Sequence, residues 1–143
     1  MASDLMDFFI PFKRIMRFYE SELSKELTGE EYSYGQWPYI FMIGRHEGSS
    51  IKDLCVTCGL DKGNSTRMIS KLIESGHVEN RSDRSRVYSL YLTETGWAAY
   101  ERASKMLSDL CDKLFVNLTD EEKETMRSSL AKICLTLDED YIY

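Results

Sequence analysis

The chain has 143 residues, one domain's worth; its 43% hydrophobic content is enough for a packed core, and 29% charged residues argue against disorder. No apolar run approaches a bilayer span, and no basic stretch followed by a small-residue cleavage site marks a secretion signal. With four cysteines in such a chain, a reducing, cytoplasmic setting without membrane contact is expected, and the net charge of −6 at first argues against a nucleic-acid partner.

Residues 8–27 place Phe8, Phe12, Ile15, Met16, Tyr19, Leu23 and Leu27 at helical spacing. Phe9, Ile10 and Phe18 add a second apolar side, so this helix should contact something on two faces. Thr28-Gly-Glu-Glu31 reads as a break. Ser33-x-x-Gln36 resembles a capping box opening a second helix that runs to about Arg45. Pro38 is comfortable only in a first turn, which moves the start toward Gly35 or Gln36. Residues 44–50 form a loop, and Ser49 or Ser50 can cap a third helix over residues 51–58. Gly59 turns the chain, Asp61 caps a fourth helix over residues 62–75, and Gly76 stops it.

Residues 78–92 read as a β-hairpin whose return strand alternates from Val87 to Leu92 and whose polar tip carries Arg81, Arg84 and Arg86. Thr93 then caps a long helix with a stripe at Tyr100, Ala103, Leu107, Leu110 and Leu114. Thr119-x-x-Glu122 is a capping box for a last helix striped by Met126, Leu130, Ile133 and Leu137. The chain closes on an apolar Tyr141-Ile142-Tyr143. Apolar ends flanking a central unit suggest packing on a second subunit, the alternative being a fold back on their own core.

Two helices joined by a tight turn and followed by a basic hairpin form a winged helix-turn-helix, so the fold class is mainly α with a small β-hairpin wing. Charge supports this placement. Residues 62–92 hold six basic side chains (Lys62, Arg67, Lys71, Arg81, Arg84, Arg86) against three acidic ones (Glu74, Glu79, Asp83), a net of +3 that leaves −9 for the remainder. Phosphate contacts need local positive charge, not a basic whole protein, although chance clustering on a solvated face gives the same count. On the fourth helix, Ser65, Met68, Ile69 and Leu72 form the inward face, leaving Gly63, Asn64, Thr66, Arg67, Ser70 and Lys71 outward. Asn pairs with adenine, Arg with guanine O6 and N7, and Thr with a phosphate, a base or a thymine methyl. Gly63 would let backbone approach DNA closely, while Lys52, Lys62 and Lys71 suit phosphates. A wing-tip arginine fits a narrowed minor groove, or else pairs with Asp83 and only stiffens the wing.

The ordered set Gln36-Trp37, Ile51-Lys-Asp-Leu-Cys-Val-Thr-Cys-Gly-Leu60, Asp61-Lys62, Thr66-Arg67, Leu72-Ile-Glu-Ser-Gly76, Val78-Glu79 and Leu92-Thr-Glu-Thr-Gly96 resembles the MarR family of winged-helix transcriptional regulators. The likeness covers nearly the whole chain, with its specific motifs in the central half. It implies one domain over residues 1–143, with dimerisation helices at 1–32 and 97–143 and a DNA-binding lobe at 33–96. It also implies a homodimer on a pseudo-palindromic site in double-stranded DNA, with Asn64, Thr66 and Arg67 in the reading part of the helix. Arg86 matches the Arg of the family's Asp-x-Arg wing motif, but the Asp position holds Arg84, and Asp83 lies one place early.

The resemblance further implies an effector pocket where the dimer helices meet the DNA-binding lobe, taking small phenolic or aromatic acids such as salicylate and releasing a repressor from its operator. Arg14 and Arg17 could receive the carboxylate and Tyr39 and Met42 form an apolar wall; intersubunit ion pairs are the favoured alternative for the two arginines. Cys55-x-x-Cys58 lacks a second ligand pair for a zinc site and suits core packing, with a thiol redox sensor as the rival reading. His46 and His77 sit in no metal-ligand spacing. No catalytic constellation or phosphate-binding glycine loop occurs, so neither an enzyme nor a cofactor or metal site is expected. A winged helix that binds protein instead of DNA is the remaining alternative.

Overall fold

The computed structural model describes residues 2–27 and 35–137. The break at Thr28, the Ser33 end of the proposed capping box and the terminal Tyr141-Ile142-Tyr143 lie outside them. Six helices and one hairpin follow in order: α1 Ala2–Glu26, α2 Trp37–Arg45, α3 Ile51–Cys58, α4 Lys62–Glu74, β1 Val78–Asn80, β2 Leu90–Leu92, α5 Glu94–Leu114 and α6 Asp120–Cys134.

Local chemistry sets most of the boundaries. Ser50 and Asp53 form a reciprocal capping box on α3, and Gly59 closes that helix in the left-handed region at φ 65°. The Asp61 carboxylate accepts from the Asn64 N–H at 2.7 Å to open α4. Thr93 caps α5, and Thr119 with Glu122 forms the capping box of α6. Helix α2 starts where Pro38 places it. Its N-cap is Gln36, without a side-chain cap, and Pro38 falls in the first turn. Proline's missing N–H costs nothing there, so the ring is accommodated at the helix entry. Helix α1 also begins earlier than the apolar pattern and carries Pro11 in its interior.

The core sits among α2, α3, α4, the hairpin and the facing side of α5. Ile40, Ile43, Leu54, Ile69, Leu72 and Leu90 are essentially sealed from solvent. An aromatic run joins the layers: Tyr19 of α1 meets Trp37 edge-on, Trp37 meets Phe41, and Phe41 stacks on Tyr100 of α5 at 5.3 Å. Gly44 makes room for that stack, because a Cβ there would fall 2.5 Å from Tyr100 Cδ2.

Only the last two turns of α1 join this core, through Tyr19 and Leu23, with Leu27 following just past the helix end. Leu5, Phe8, Phe9, Phe12, Ile15 and Phe18 face solvent in the single chain, and α6 buries none of its residues. The two-faced apolar helix expected from the sequence therefore covers its own core with its last turns alone.

The hairpin is shorter than its pattern. Val78 pairs with Leu92, Glu79 with Tyr91 and Asn80 with Leu90, and no strand extends over residues 87–89. One more backbone bond, from the Arg81 N–H to the Ser89 carbonyl at 2.9 Å, continues the pairing, and the Asn80 side chain ties the rest: its Oδ1 accepts from the Ser82 and Ser89 N–H groups, and its amide donates to the Val87 carbonyl. Among the described residues no helix is long and apolar enough to cross a membrane.

Candidate nucleic-acid interface

Helix α4 turns Ser65, Ile69 and Leu72 inward and leaves Lys62, Gly63, Asn64, Thr66, Arg67 and Lys71 exposed. Its depth is fixed from inside. The Ser65 hydroxyl is buried, donates to the Asp61 carbonyl, and lies 2.9 Å from the Tyr39 hydroxyl of α2. Cys55 of α3 donates to the same Ser65 oxygen at 3.4 Å. Three helices thus share one polar knot under the first turn of α4. Burial pushes the Tyr39 phenol above its ordinary range, against the opposing pull of the Ser65 hydroxyl.

Beside that turn lies a cleft of about 390 Å³ lined by Ser50, Ile51 and Lys52 of α3, Lys62 and Thr66 of α4, and Arg86, Val87 and Tyr88 of the wing. The fold therefore gathers Lys52, Lys62, Thr66 and Arg86 on one surface from three separate elements. Arg86 adopts φ 62° and is the sole non-glycine residue with positive φ among those described. A side chain in the left-handed region is strained, and such strain concentrates at functional positions. Gly63 is not required by the chain's own packing: a Cβ there would meet only Asp61 Oδ2, at an ordinary 3.6 Å.

The remaining basic residues separate. Arg84 sits at the exposed tip, where its carbonyl accepts from the Val87 N–H. Lys71 lies in the last turn of α4, outside the cleft. Arg81 is engaged within the wing, ion-paired to Glu79 at 2.7 Å with its guanidinium 3.9 Å over the Tyr91 ring. Among the described residues Asp83 makes no ion pair with Arg86. The stiffening pair of the wing is Arg81 with Glu79, and the tip geometry comes from the Asn80 bonds and the Arg84–Val87 turn.

The four residues assigned to an effector do not come together in the single chain. Arg14 and Arg17 line a groove on α1 with Ile10, Lys13, Met16 and Glu20. Tyr39 is 2% exposed and committed to Ser65, and Met42 packs on the core, so Tyr39 gives no open wall to a ligand. The alternation in α2 shows which residues are apolar, not which element covers them.

Cys55 is fully buried, and burial pushes the Cys58 thiol up to about 11, leaving little thiolate at neutral pH. Core packing accounts for both. His46 is exposed at the end of α2, and His77 is buried with Nδ1 2.7 Å from Ser75 Oγ. Asn80 and Ser65, which organise the wing and seat α4, were not singled out as functional from sequence; a polar residue at an inward or strand-end position is the signal that marks them.

Comparison with known proteins agrees with this geometry. The MarR family model matches residues 31–86. The HTH-type transcriptional regulator BilQ of Clostridium symbiosum is 30% identical over 118 residues, covering 81% of this chain and 79% of the relative. A MarR family transcriptional regulator from Listeria monocytogenes, solved in complex with 26mer DNA, superposes with a TM-score of 0.87 at 19% identity, over 95% of this chain and 92% of that one. A MarR family protein from Mycobacterium tuberculosis, solved with p-aminosalicylic acid, gives 0.67 at 19% identity, over 88% and 97%. The chain belongs to the MarR family of winged-helix transcriptional regulators, which bind DNA and are not enzymes.

Proposed function

We propose that this regulator acts as a homodimer that places two α4 helices in successive major grooves of a pseudo-palindromic operator, with a wing flanking each. The observation that carries the reading is the convergence of Lys52, Lys62, Thr66 and strained Arg86 beside the exposed first turns of α4. Lys52 and Lys62 serve phosphates, Thr66 and Arg67 meet base edges, and Arg86 reaches toward the minor groove with Arg84 beside it. Gly63 permits close approach, Lys71 adds a phosphate contact further along, and Arg81 contributes by stiffening the wing.

The dimer is supported by the uncovered apolar faces of α1 and α6. Phe8 is 67% exposed, Phe9 62% and Ile133 56%, more apolar surface than a monomer ordinarily leaves in contact with water. Residues 1–32 and 97–143 then form the dimerisation part and 33–96 the DNA-binding lobe.

The regulator is proposed to be a repressor released by a small aromatic or phenolic acid. Support comes from the Mycobacterium tuberculosis relative solved with p-aminosalicylic acid and from Arg14 and Arg17 on the α1 groove, where they can receive a carboxylate. Such an acid must bind the free and DNA-bound forms with different affinity.

The test is a fluorescence-anisotropy titration of the protein with the duplex upstream of its own gene, beside a scrambled duplex, at two salt concentrations. Preferential binding that weakens steeply with salt is expected, and salicylate should weaken it further. Equal, salt-insensitive binding to both duplexes would overturn the reading in favour of a protein partner.

A further inference from the structure

The outward groups of α4 are not equally available to a base. Arg67 Nη2 donates to Asn64 Oδ1 at 2.8 Å, one turn back along the same face. The Thr66 hydroxyl donates to the Lys62 carbonyl at 3.1 Å, and the Ser70 hydroxyl to the Thr66 carbonyl at 2.9 Å. Pairing of an asparagine with adenine needs the amide oxygen as acceptor for N6 and the amide nitrogen as donor to N7. In this chain one of that oxygen's two lone pairs already accepts from Arg67, so an adenine N6 would have to share the oxygen with the guanidinium. A guanidinium carries five N–H donors, so one bond to Asn64 leaves enough for both guanine O6 and N7. The same bond restricts a long, rotamer-rich side chain before DNA arrives, which lowers the ordering cost of binding. With its hydroxyl proton given to the backbone, exposed Thr66 has no donor left for a base and offers its methyl group beside an acceptor oxygen.

We infer that Asn64 is a positioning residue that aims Arg67 at a guanine, not a reader of adenine, and that Thr66 presents its methyl to a neighbouring thymine methyl. This rests on the DNA-binding reading above and names the base chemistry of the half-site.

The experiment is selection from a random duplex library with the full-length protein, run for the wild type, Asn64→Ala and Asn64→Asp, followed by competition binding on the selected duplex. Both variants keep the helix cap, because Asn64 meets Asp61 through its backbone N–H, and circular dichroism checks helix content. The wild type should select a guanine adjoining a thymine. Replacing that guanine by 7-deazaguanine should weaken binding roughly tenfold, and replacing the thymine by uracil roughly fourfold. Asn64→Ala should reduce the preference for the guanine by about tenfold. Asn64→Asp, whose carboxylate accepts the same Arg67 bond, should retain that preference while its charge weakens binding to every duplex. A wild-type adenine preference lost in both variants, or a guanine preference equal in all three proteins, would overturn the assignment. A selection that enriches no duplex would overturn the DNA-binding reading itself and this inference with it.

Discussion

The Tyr39 hydroxyl stands 2.9 Å from Ser65 Oγ, so α2 holds α4 by a buried polar contact placed directly beneath the surface proposed to meet DNA. Tyr39→Phe removes this bond while Ser65 keeps the Asp61 carbonyl as a partner. The expected cost is about 1 kcal/mol of stability by urea denaturation, the usual net worth of one hydrogen bond. Tyr39→Ala adds a cavity and should cost about 3–5 kcal/mol. Equal stabilities of wild type and Tyr39→Phe would remove the contact from the account.

Gly63→Ala separates folding from binding. The site has room for a methyl within the chain, and alanine is the better helix former, so stability should hold or rise by up to about 1 kcal/mol. DNA affinity should nonetheless fall, since the methyl stands where the backbone approaches the duplex. An unchanged Kd in anisotropy titrations would show that the α4 entrance keeps its distance from DNA.

Arg86→Asn makes the same separation in the wing. Asparagine tolerates the left-handed region better than arginine, so thermal stability should be retained or slightly raised. Loss of the guanidinium should weaken DNA binding and reduce the slope of log K against log salt by about 1 if it meets a phosphate. A weaker Kd at unchanged slope would place Arg86 on a base edge.

Phe8→Glu or Phe9→Glu places a charge on the uncovered face of α1. Both side chains are exposed in the single chain, so the fold of one subunit has no reason to suffer. Sedimentation should shift from dimer to monomer, with at least tenfold weaker operator binding because one half-site contact set is lost. Variants that remain dimeric would move the interface elsewhere.

Cys58 yields a prediction about pH. Its thiol ionises near 9 in an exposed setting and near 11 in the folded chain, because burial disfavours the thiolate. The unfolded chain therefore loses this proton first as pH rises through that window. The contribution is fully present below about pH 9 and is lost progressively toward 11. In the monomeric Phe8→Glu variant, Cys111 and Cys134, exposed in the single chain, should react with iodoacetamide at pH 7.5 well before Cys58, as read by peptide mass spectrometry. Rapid labelling of Cys58 in native protein would revive the redox reading.

The helix-turn-helix was legible because its boundaries depend on short-range chemistry. Ser50, Asp61, Thr93 and Thr119 cap in the places their residue types suggest, and Gly59 ends α3 where only a left-handed residue fits. The exposed face of α4 followed from helical periodicity. What escaped was long-range pairing. The engagement of Tyr39 by Ser65, 26 positions away, and of Arg81 by the Tyr91 ring depends on how elements pack, which no local pattern carries. The overlong return strand failed for a related reason: alternation in Val87, Tyr88 and Ser89 is compatible with a strand, but Asn80 offers their backbone a different set of bonds.

The inner end of the wing has a third edge. Gly48 and Ser49, in the turn between α2 and α3, exchange backbone hydrogen bonds with Leu90, and Glu47 accepts the Leu92 N–H. Strand β2 is therefore clasped on both sides at its root, while the tip beyond Asn80 is held by the Asn80 amide, one cross-hairpin backbone bond from Arg81 to Ser89 and local turn bonds. Wing root, α3 and α4 behave as one casting with a compliant fingertip. Amide exchange at Leu90 should track global unfolding while that of Arg84, held only by the exposed Ser82 hydroxyl, should be far faster, and adjustment to an imperfect half-site will be made at the tip, not by re-angling the helix against its wing.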